Sequence, residues 1–278
     1  MTQNVVNNGE VNAPSDGVTQ GIYEESSTQQ GPLGARRALN DGRVFRYAEF
    51  TAVANAAGVL VGPDETSQIA DEMAATAVVN SAGTATDIAS SDSVSRLFFL
   101  DTDILTAANS DDVFAGGYLH LLNSATGGYT FRIRENAYTA STSVMRVDLY
   151  DQILENIDSQ DEVAITGSPY QNITILNNGT DDFPAGVTVM NMTASYYGWV
   201  QTWGVGTVLA DESAGTIAGG TIATLSDGVN GAAHLIGGDT IDSEDDIDLN
   251  IAAEPIVGHW LGPVTDANYG PIFLTISP

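Results

Sequence analysis

From residue 94 onward, short segments rich in β-branched and aromatic residues alternate with Gly, Asn, Asp and Ser. Strand formers separated in this way by turn residues are typical of antiparallel β proteins. The segments predicted as strands are SRLFFLDTDIL, GGYLHLLN, GYTFRIREN, SVMRVDLYDQIL, DEVAITG, QNITILNN, AGVTVMNMTA, YYGWVQTWG and PIFLTIS. We therefore predict an all-β fold, mainly an antiparallel sandwich or barrel.

The N-terminal region has a different composition. Residues 1–34 are rich in Asn, Gln, Ser, Thr and Gly and show little apolar periodicity. Such a segment does not bury enough apolar surface to offset its ordering entropy. We predict an extended N-terminal arm, either disordered or ordered on a neighbouring subunit. After it, Asn40-Asp41-Gly42 predicts a turn and RVFRYAEF predicts a strand.

One segment favours a helix, and the strands fall into two groups. Residues 64–80, DETSQIADEMAATAVVN, follow a proline and begin with two acids, which suits a helix N-terminus. At most one or two short helices are expected. We predict a base β domain formed by residues 35–93 together with 186–278, and a second β domain at 94–185.

The charge balance excludes several partners. The chain has 36 Asp and Glu against 8 Lys and Arg, a net charge of −28, and all eight cations are arginine. Nucleic acids and acidic membranes are disfavoured, because binding them needs clustered cations. No apolar run approaches the ~20 residues of a membrane span. Lysine-free acidity indicates a protein adapted to concentrated salt; the alternative is an ordinary acidic secreted protein.

Salt adaptation predicts that folding depends on ionic strength. The Debye length is about 3 Å at 1 M salt, so self-repulsion is suppressed there and restored when salt is removed. We expect thermal unfolding to move to markedly lower temperature between multimolar and low salt. Circular dichroism melts at the two ionic strengths test this, and identical melts would contradict halophilic adaptation.

No catalytic pattern is present. The sequence has no GxSxG motif and no phosphate-binding GxxxxGK[ST], and the lack of lysine excludes Schiff-base chemistry. His120, His234 and His259 have no metal-ligand spacing. There are no cysteines. We predict a protein that is not an enzyme and needs no cofactor.

An acidic run at residues 237–254 is a weak candidate for a structural cation such as Ca²⁺, because carboxylate oxygens are its preferred ligands. Its spacing does not match an EF-hand loop, and the alternative is a solvated acidic loop. The candidate ligands are Asp239, Asp242, Glu244, Asp246 and Asp248.

An aromatic cluster lies in YYGWVQTWG. Tyr196, Tyr197, Trp199 and Trp203 are predicted to lie in the core or at a subunit interface. The alternative is a sugar-binding platform.

Several segments, in order, carry a family resemblance. They are LGARRALNDGRVFRYAEF, FAGGYLHLLNSATGGYTFRIREN, VDLYDQI, YYGWVQTWG and EPIVGHWLGPVTDANYGPIFLTI. Together they resemble virion structural proteins of tailed viruses, capsid-associated components that decorate or cement the shell. The acidic composition is what a haloarchaeal virus version would show, and the Asp-rich 238–248 loop departs from the pattern. The resemblance supplies no catalytic residues.

The resemblance implies a structural role in the virion, as a capsid decoration, cement or turret subunit assembled in the host cytoplasm. Its expected partners are the major capsid protein and itself, as a homo-oligomer, a trimer. The alternatives are a virion-surface carbohydrate- or receptor-binding module, and a major capsid protein, which would need a long spine helix.

The same resemblance suggests a role for the arginines near the N-terminus. Half of the cations, Arg36, Arg37, Arg43 and Arg46, lie within eleven residues. They are predicted to dock on carboxylates of an acidic shell or sister subunit through bidentate pairs. The alternative is that they pair internally with this chain's own acids.

Overall fold

The structure is a computed structural model that describes residues 18–63, 79–84, 94–100, 111–122, 128–153, 156–157, 163–177, 183–211, 216–226, 228–236 and 255–278. Within these ranges the regular structure consists of strands alone, so the predicted all-β fold is confirmed. The helix candidate at 64–80 lies outside the described residues except for Val79 and Asn80, which are not helical. No helix in the described part is long and apolar enough to cross a membrane.

The chain forms two compact units. Unit 1 contains residues 1–64 and 169–278, and unit 2 contains residues 65–168. These limits differ from the predicted boundaries at residues 94 and 185. Residues 173–175 form a strand of the unit 1 sheet, and the amide of Val79 donates to the carbonyl of Phe98, which ties that residue to unit 2.

Unit 1 is built on a ten-stranded antiparallel sheet. Its strands in chain order are β1 (Arg36–Ala38), β2 (Val44–Glu49), β3 (Leu60–Pro63), β9 (Ile173–Ile175), β10 (Gly186–Thr188), β11 (Tyr197–Leu209), β13 (Ile222–Leu225), β14 (Ala233–Leu235), β15 (Ile256–Trp260) and β17 (Tyr269–Thr275). The spatial order is β14-β13-β15-β17-β11-β10-β3-β9, with β2 also pairing β11 and β1 pairing β2. Two short strands, β12 (Thr216–Ile217) and β16 (Val264–Thr265), form a separate pair.

The ten-stranded sheet curls around its main core. Gly231, just before β14, accepts from the amide of Leu60 in β3 and donates to the carbonyl of Leu176, which follows β9. The two ends of the sheet are therefore joined by hydrogen bonds. Side chains from β3, β10, β11, β13, β14, β15 and β17 pack together in one apolar cluster. Its largest member is Trp260, which is fully buried.

The turn and strand predicted at residues 40–50 form a hairpin. Leu39 and Arg43 are joined by a backbone hydrogen bond of 2.8 Å, and Gly42 has a φ of 87°, a left-handed value that favours glycine. Strand β2 then pairs with β11, so Tyr47 lies opposite Trp199. Both faces of β2 are covered, because Phe45 and Tyr47 belong to one apolar cluster and Ala48 to another.

Residues 18–34 are not a free arm, contrary to prediction; residues 1–17 lie outside the described part. Val18 and Leu33 pack in the same cluster as Trp199. Gln20 is buried, and its side-chain amide donates to the carbonyls of Glu24 and Tyr197. Specific polar contacts therefore hold a segment that has few apolar residues.

Unit 2 contains a five-stranded antiparallel sheet in the order β4-β7-β6-β5-β8. Its strands are β4 (Arg96–Leu100), β5 (Tyr118–Leu121), β6 (Tyr129–Thr139), β7 (Val144–Leu149) and β8 (Val163–Thr166). Alternate residues such as Leu97, Phe99, Met145 and Val147 point into one apolar core. The intervening residues of β4, β6 and β7 face outward and include most of this unit's arginines.

Candidate functional site

The predicted arginine interface is mostly engaged within unit 1. Arg37 is only 3% exposed, and its guanidinium donates to the carbonyls of Gln20 and Val18, each at 2.6 Å. The same group lies 4.2 Å from the ring centre of Trp199. Arg37 is therefore an internal structural residue, and its prediction as an interface residue is wrong.

The other three arginines differ in exposure. Arg43 donates from Nε to Asp41 at 2.7 Å and from Nη1 to the hydroxyl of Tyr23 at 3.3 Å. Arg46 donates to the carbonyl of Gly34 and to Ser277 Oγ. Arg36 is exposed, and its side chain makes no hydrogen bond or ion pair with a described residue. Only Arg36 is thus left with its whole guanidinium for an external carboxylate.

The four residues of the predicted aromatic interface also differ in burial and in their partners. Trp199 is buried, packs edge-on against Tyr47 at 5.2 Å and donates from Nε1 to the carbonyl of Gln20, so it is a core residue. Tyr197 donates to Glu49 at 3.0 Å. Burial and this carboxylate raise the pKa of Tyr197 to about 12. Tyr196 is half-buried.

Trp203 has a different neighbour. It is half-buried and lies edge-on to Phe273 at 5.8 Å between ring centres, on the outer surface of the sheet. The four aromatic residues therefore do not form a single platform. A β-strand places alternate residues on opposite faces, and β11 carries a register shift between Gln201 and Trp203.

The five candidate metal ligands, Asp239, Asp242, Glu244, Asp246 and Asp248, lie outside the described residues. Within the described ranges, no group of three or more His, Asp or Glu side chains is placed to hold a metal ion.

One buried carboxylate organises the arginines of unit 2. Asp148 in β7 is 2% exposed and accepts from Arg96 Nε at 2.6 Å. Arg146 Nε lies 2.7 Å from its other oxygen, Oδ2, and Arg134 Nη2 lies 3.8 Å from the oxygen that accepts from Arg96, Oδ1. Burial opposes ionisation of Asp148, but the hydrogen bond from Arg96 and the nearby positive charges outweigh it and lower its pKa. The cluster fixes three strands to one another.

An uncharged surface covers part of the unit 1 sheet. The two ladders β15-β17 and β17-β11 place His259, Phe273 and Val205 in one row across the three strands. Ile272, Leu274 and Val208 point into the core, so the alternate positions face outward. We call the outward set the charge-free face: Trp203, Val205, Thr207, His259, Leu261, Tyr269, Pro271 and Phe273.

The absence of charge extends through most of this sheet. Of its ten strands, only β1 and β2 contain Asp, Glu, Lys or Arg. Val205, Leu261 and Tyr269 on the charge-free face are each at least half exposed. In a chain with 36 acids, uncharged exposed strands identify a surface suited to burial against a partner.

An open cleft borders this face. It encloses about 600 Å³ between the hairpin residue Arg43, residues 56–58, residues 187–191 and the outward side of β11. Its lining combines exposed aromatic rings with side-chain amides: Tyr23, Asn191, Gln201 and Tyr269. Among the described residues that line it, Arg43 is the only charged one. No sequence motif marks this cleft, because its residues come from six separate segments.

No protein-family model matches this sequence, and neither a curated protein nor a solved structure matches the chain. The resemblance to virion proteins therefore stays a prediction.

Proposed function

We propose that this chain is a structural subunit of a virion, a decoration, cement or turret protein that stabilises the head of a tailed virus adapted to high salt. It has no enzymatic activity in this proposal. It assembles with copies of itself, as a trimer, and with the major capsid protein. The observation that carries the proposal is the charge-free face of unit 1.

The charge distribution supports association through this face. At a net charge of −28, copies of the chain repel one another wherever acidic surfaces meet. The outward side chains of β11, β15 and β17 bring no carboxylates into such a contact. Salting-out conditions also strengthen apolar burial. Exposed Arg36 adds a cation for a carboxylate on an acidic shell.

Substitution of Leu261 tests the assembly. Leu261 is 50% exposed on the charge-free face, and Val53 is 54% exposed in an irregular segment that is not part of this face. We expect the wild-type protein to have a trimer mass in molar salt. Leu261→Glu should be monomeric, because association would bury an unpaired negative charge in the contact. Val53→Glu should remain a trimer. Light scattering after size-exclusion chromatography measures the masses.

Two results would contradict the proposal. If the wild-type and both variants have the same mass across a concentration series, the charge-free face is not an assembly surface. For the virion role, mass spectrometry of purified particles should detect the chain at a copy number that matches the shell lattice. Its absence from particles would exclude that role.

A further inference from the structure

The cleft of unit 1 contains side-chain polar atoms that have no partner among the described residues. Gln201 is 3% exposed and lines the cleft. Its Nε2 donates to the carbonyls of Trp203 at 3.1 Å and Val205 at 2.9 Å, which fixes the orientation of the amide. No described residue donates to its Oε1. This acceptor is therefore available to a ligand.

Gly206 gives this amide room to lie against β11. A β-carbon at that position would lie 3.3 Å from Nε2 and Oε1 of Gln201 and from Cδ1 of the core residue Leu274. Any side chain at residue 206 would therefore push against the amide and shift it. Glycine at this point of β11 keeps the amide in place beside the cleft, which both residues line.

Two further side chains present donors. Asn191 Oδ1 accepts from the amide of Ala57 at 2.9 Å, so its Nδ2 is the donor, and no described residue accepts from it. Arg43 uses Nε and Nη1 for Asp41 and Tyr23, and its Nη2 has no acceptor among the described residues. The cleft thus offers oriented donors and an acceptor within one enclosed volume.

Aromatic rings flank these groups. Tyr23 and Tyr269 line the cleft and are more than half exposed. The ring of Tyr269 lies directly over Gly58, where a β-carbon would come within 2.8 Å of it. Exposed tyrosines offer a rigid apolar face at low entropic cost, and such faces pack on flat ligands.

Local charge determines which ligand fits. Hydrogen bonds from Arg43 lower the pKa of Asp41 although burial acts in the opposite direction, so the two groups form an ion pair near neutral pH. The positive charge of Arg43 is therefore balanced locally. With a net charge of −28 on the chain, anions are disfavoured at this site.

We propose that the cleft bounded by Tyr23, Arg43, Asn191, Gln201 and Tyr269 binds a neutral hexose-type carbohydrate of one or two rings. Sugar hydroxyls donate to Gln201 Oε1 and accept from Asn191 Nδ2 and Arg43 Nη2. The apolar face of a sugar ring packs on Tyr23, which lies outside the charge-free face. A cleft of about 600 Å³ is in the usual range for small-molecule sites.

The test uses the full chain in molar salt with methyl glucoside, methyl galactoside, methyl mannoside, maltose and cellobiose as probes. Saturation-transfer NMR and titration should detect at least one of them, with a Kd of roughly 1 mM, a modest affinity. Tyr23→Ala should weaken binding at least about tenfold. Asn191→Asp should do the same, because it keeps the acceptor for Ala57 and removes the donor.

The matched control is Tyr150→Ala, since Tyr150 is 58% exposed and Tyr23 is 59% exposed, but Tyr150 belongs to unit 2. Its affinity should equal that of the wild-type protein. The proposal is overturned if none of the five probes binds or if all variants bind with equal affinity. It is also overturned if glucuronate, an anionic sugar tested for comparison, binds more tightly than the neutral probes. The cleft shares Val205, Thr207 and Tyr269 with the charge-free face, so sugar binding is also measured on the Leu261→Glu variant, whose substituted residue does not line the cleft. Loss of binding on introducing Tyr23→Ala or Asn191→Asp into that variant separates this result from the assembly test.

Discussion

Arg37→Gln lowers the free energy of unfolding of unit 1 by about 3 kcal/mol, whereas Arg36→Gln changes it by less than about 0.5 kcal/mol. Arg37 is buried and donates to two backbone carbonyls, and hydrogen bonds from charged groups contribute about 1.5–3 kcal/mol each. Its position over Trp199 adds a cation–π contribution. The neighbouring Arg36 is exposed and makes no such contacts with described residues.

Urea unfolding in molar salt, followed by tryptophan fluorescence, measures this difference. All three tryptophans, Trp199, Trp203 and Trp260, belong to unit 1, so the signal reports on that unit. Arg37→Lys serves as a second variant, because lysine keeps the charge but cannot present the planar fork to both carbonyls. We expect it to be intermediate.

The two arginine variants also separate internal support from external docking. If Arg37→Gln unfolds like the wild-type protein but no longer attaches to particles, Arg37 acts in docking and the internal account is wrong. Loss of attachment in Arg36→Gln at unchanged stability would instead place the contact with the shell at Arg36.

Asp148→Asn should lower the free energy of unfolding of unit 2 by about 2 kcal/mol. Removing one member of a buried ion pair costs about 3–5 kcal/mol, and the value is reduced here because Arg96 and Arg146 are partly solvated. Asparagine has nearly the same shape, so the loss reflects charge rather than packing. Hydrogen exchange of peptides that cover β4 and β7 measures it within unit 2.

The effect of Asp148→Asn should depend on pH in a defined direction. The folded-state pKa of Asp148 is lowered, so its contribution is fully present above the unfolded pKa of about 3.9. That contribution is lost as the pH falls through the folded pKa. The wild-type and variant proteins should therefore differ at pH 7 and converge below about pH 4. A constant difference down to pH 2 would contradict the ion-pair account.

A matched variant controls for the removal of an acid from unit 2. Asp112 is an exposed turn residue with a φ of 59°, a conformation that asparagine also adopts readily. Asp112→Asn should leave exchange in β4 and β7 unchanged. If it has the same effect as Asp148→Asn, net charge rather than the local cluster is responsible.

The strands that the sequence predicted share one property. Each of the nine predicted segments contains a strand among the described residues, because each combines strong β-formers with flanking turn residues. The missed strands β13, β14 and β15 are short and contain Ala, Gly or His. Local propensity is weak there, and pairing with neighbouring strands in the curled sheet decides the conformation.

For the predicted interface residues, the sequence did not determine which side chains are exposed and which are buried. Arg36 and Arg37 are identical neighbours in the chain, yet one is exposed and the other is buried over Trp199. Composition identifies neither state. The deciding partners, Val18 and Gln20, lie in a polar segment whose composition predicts an extended arm.

The sequence by itself determined the all-β class, the hairpin at residues 40–42, the charge of −28 and the absence of the GxSxG and GxxxxGK[ST] motifs. These depend on residue type and short-range spacing. Only the tertiary structure decided which side chains of β11, β15 and β17 share an uncharged surface, and which segments enclose the cleft. The physical reason is that β-sheet contacts join residues far apart in the chain, such as Val205 with Phe273, through a strand order that local periodicity does not encode.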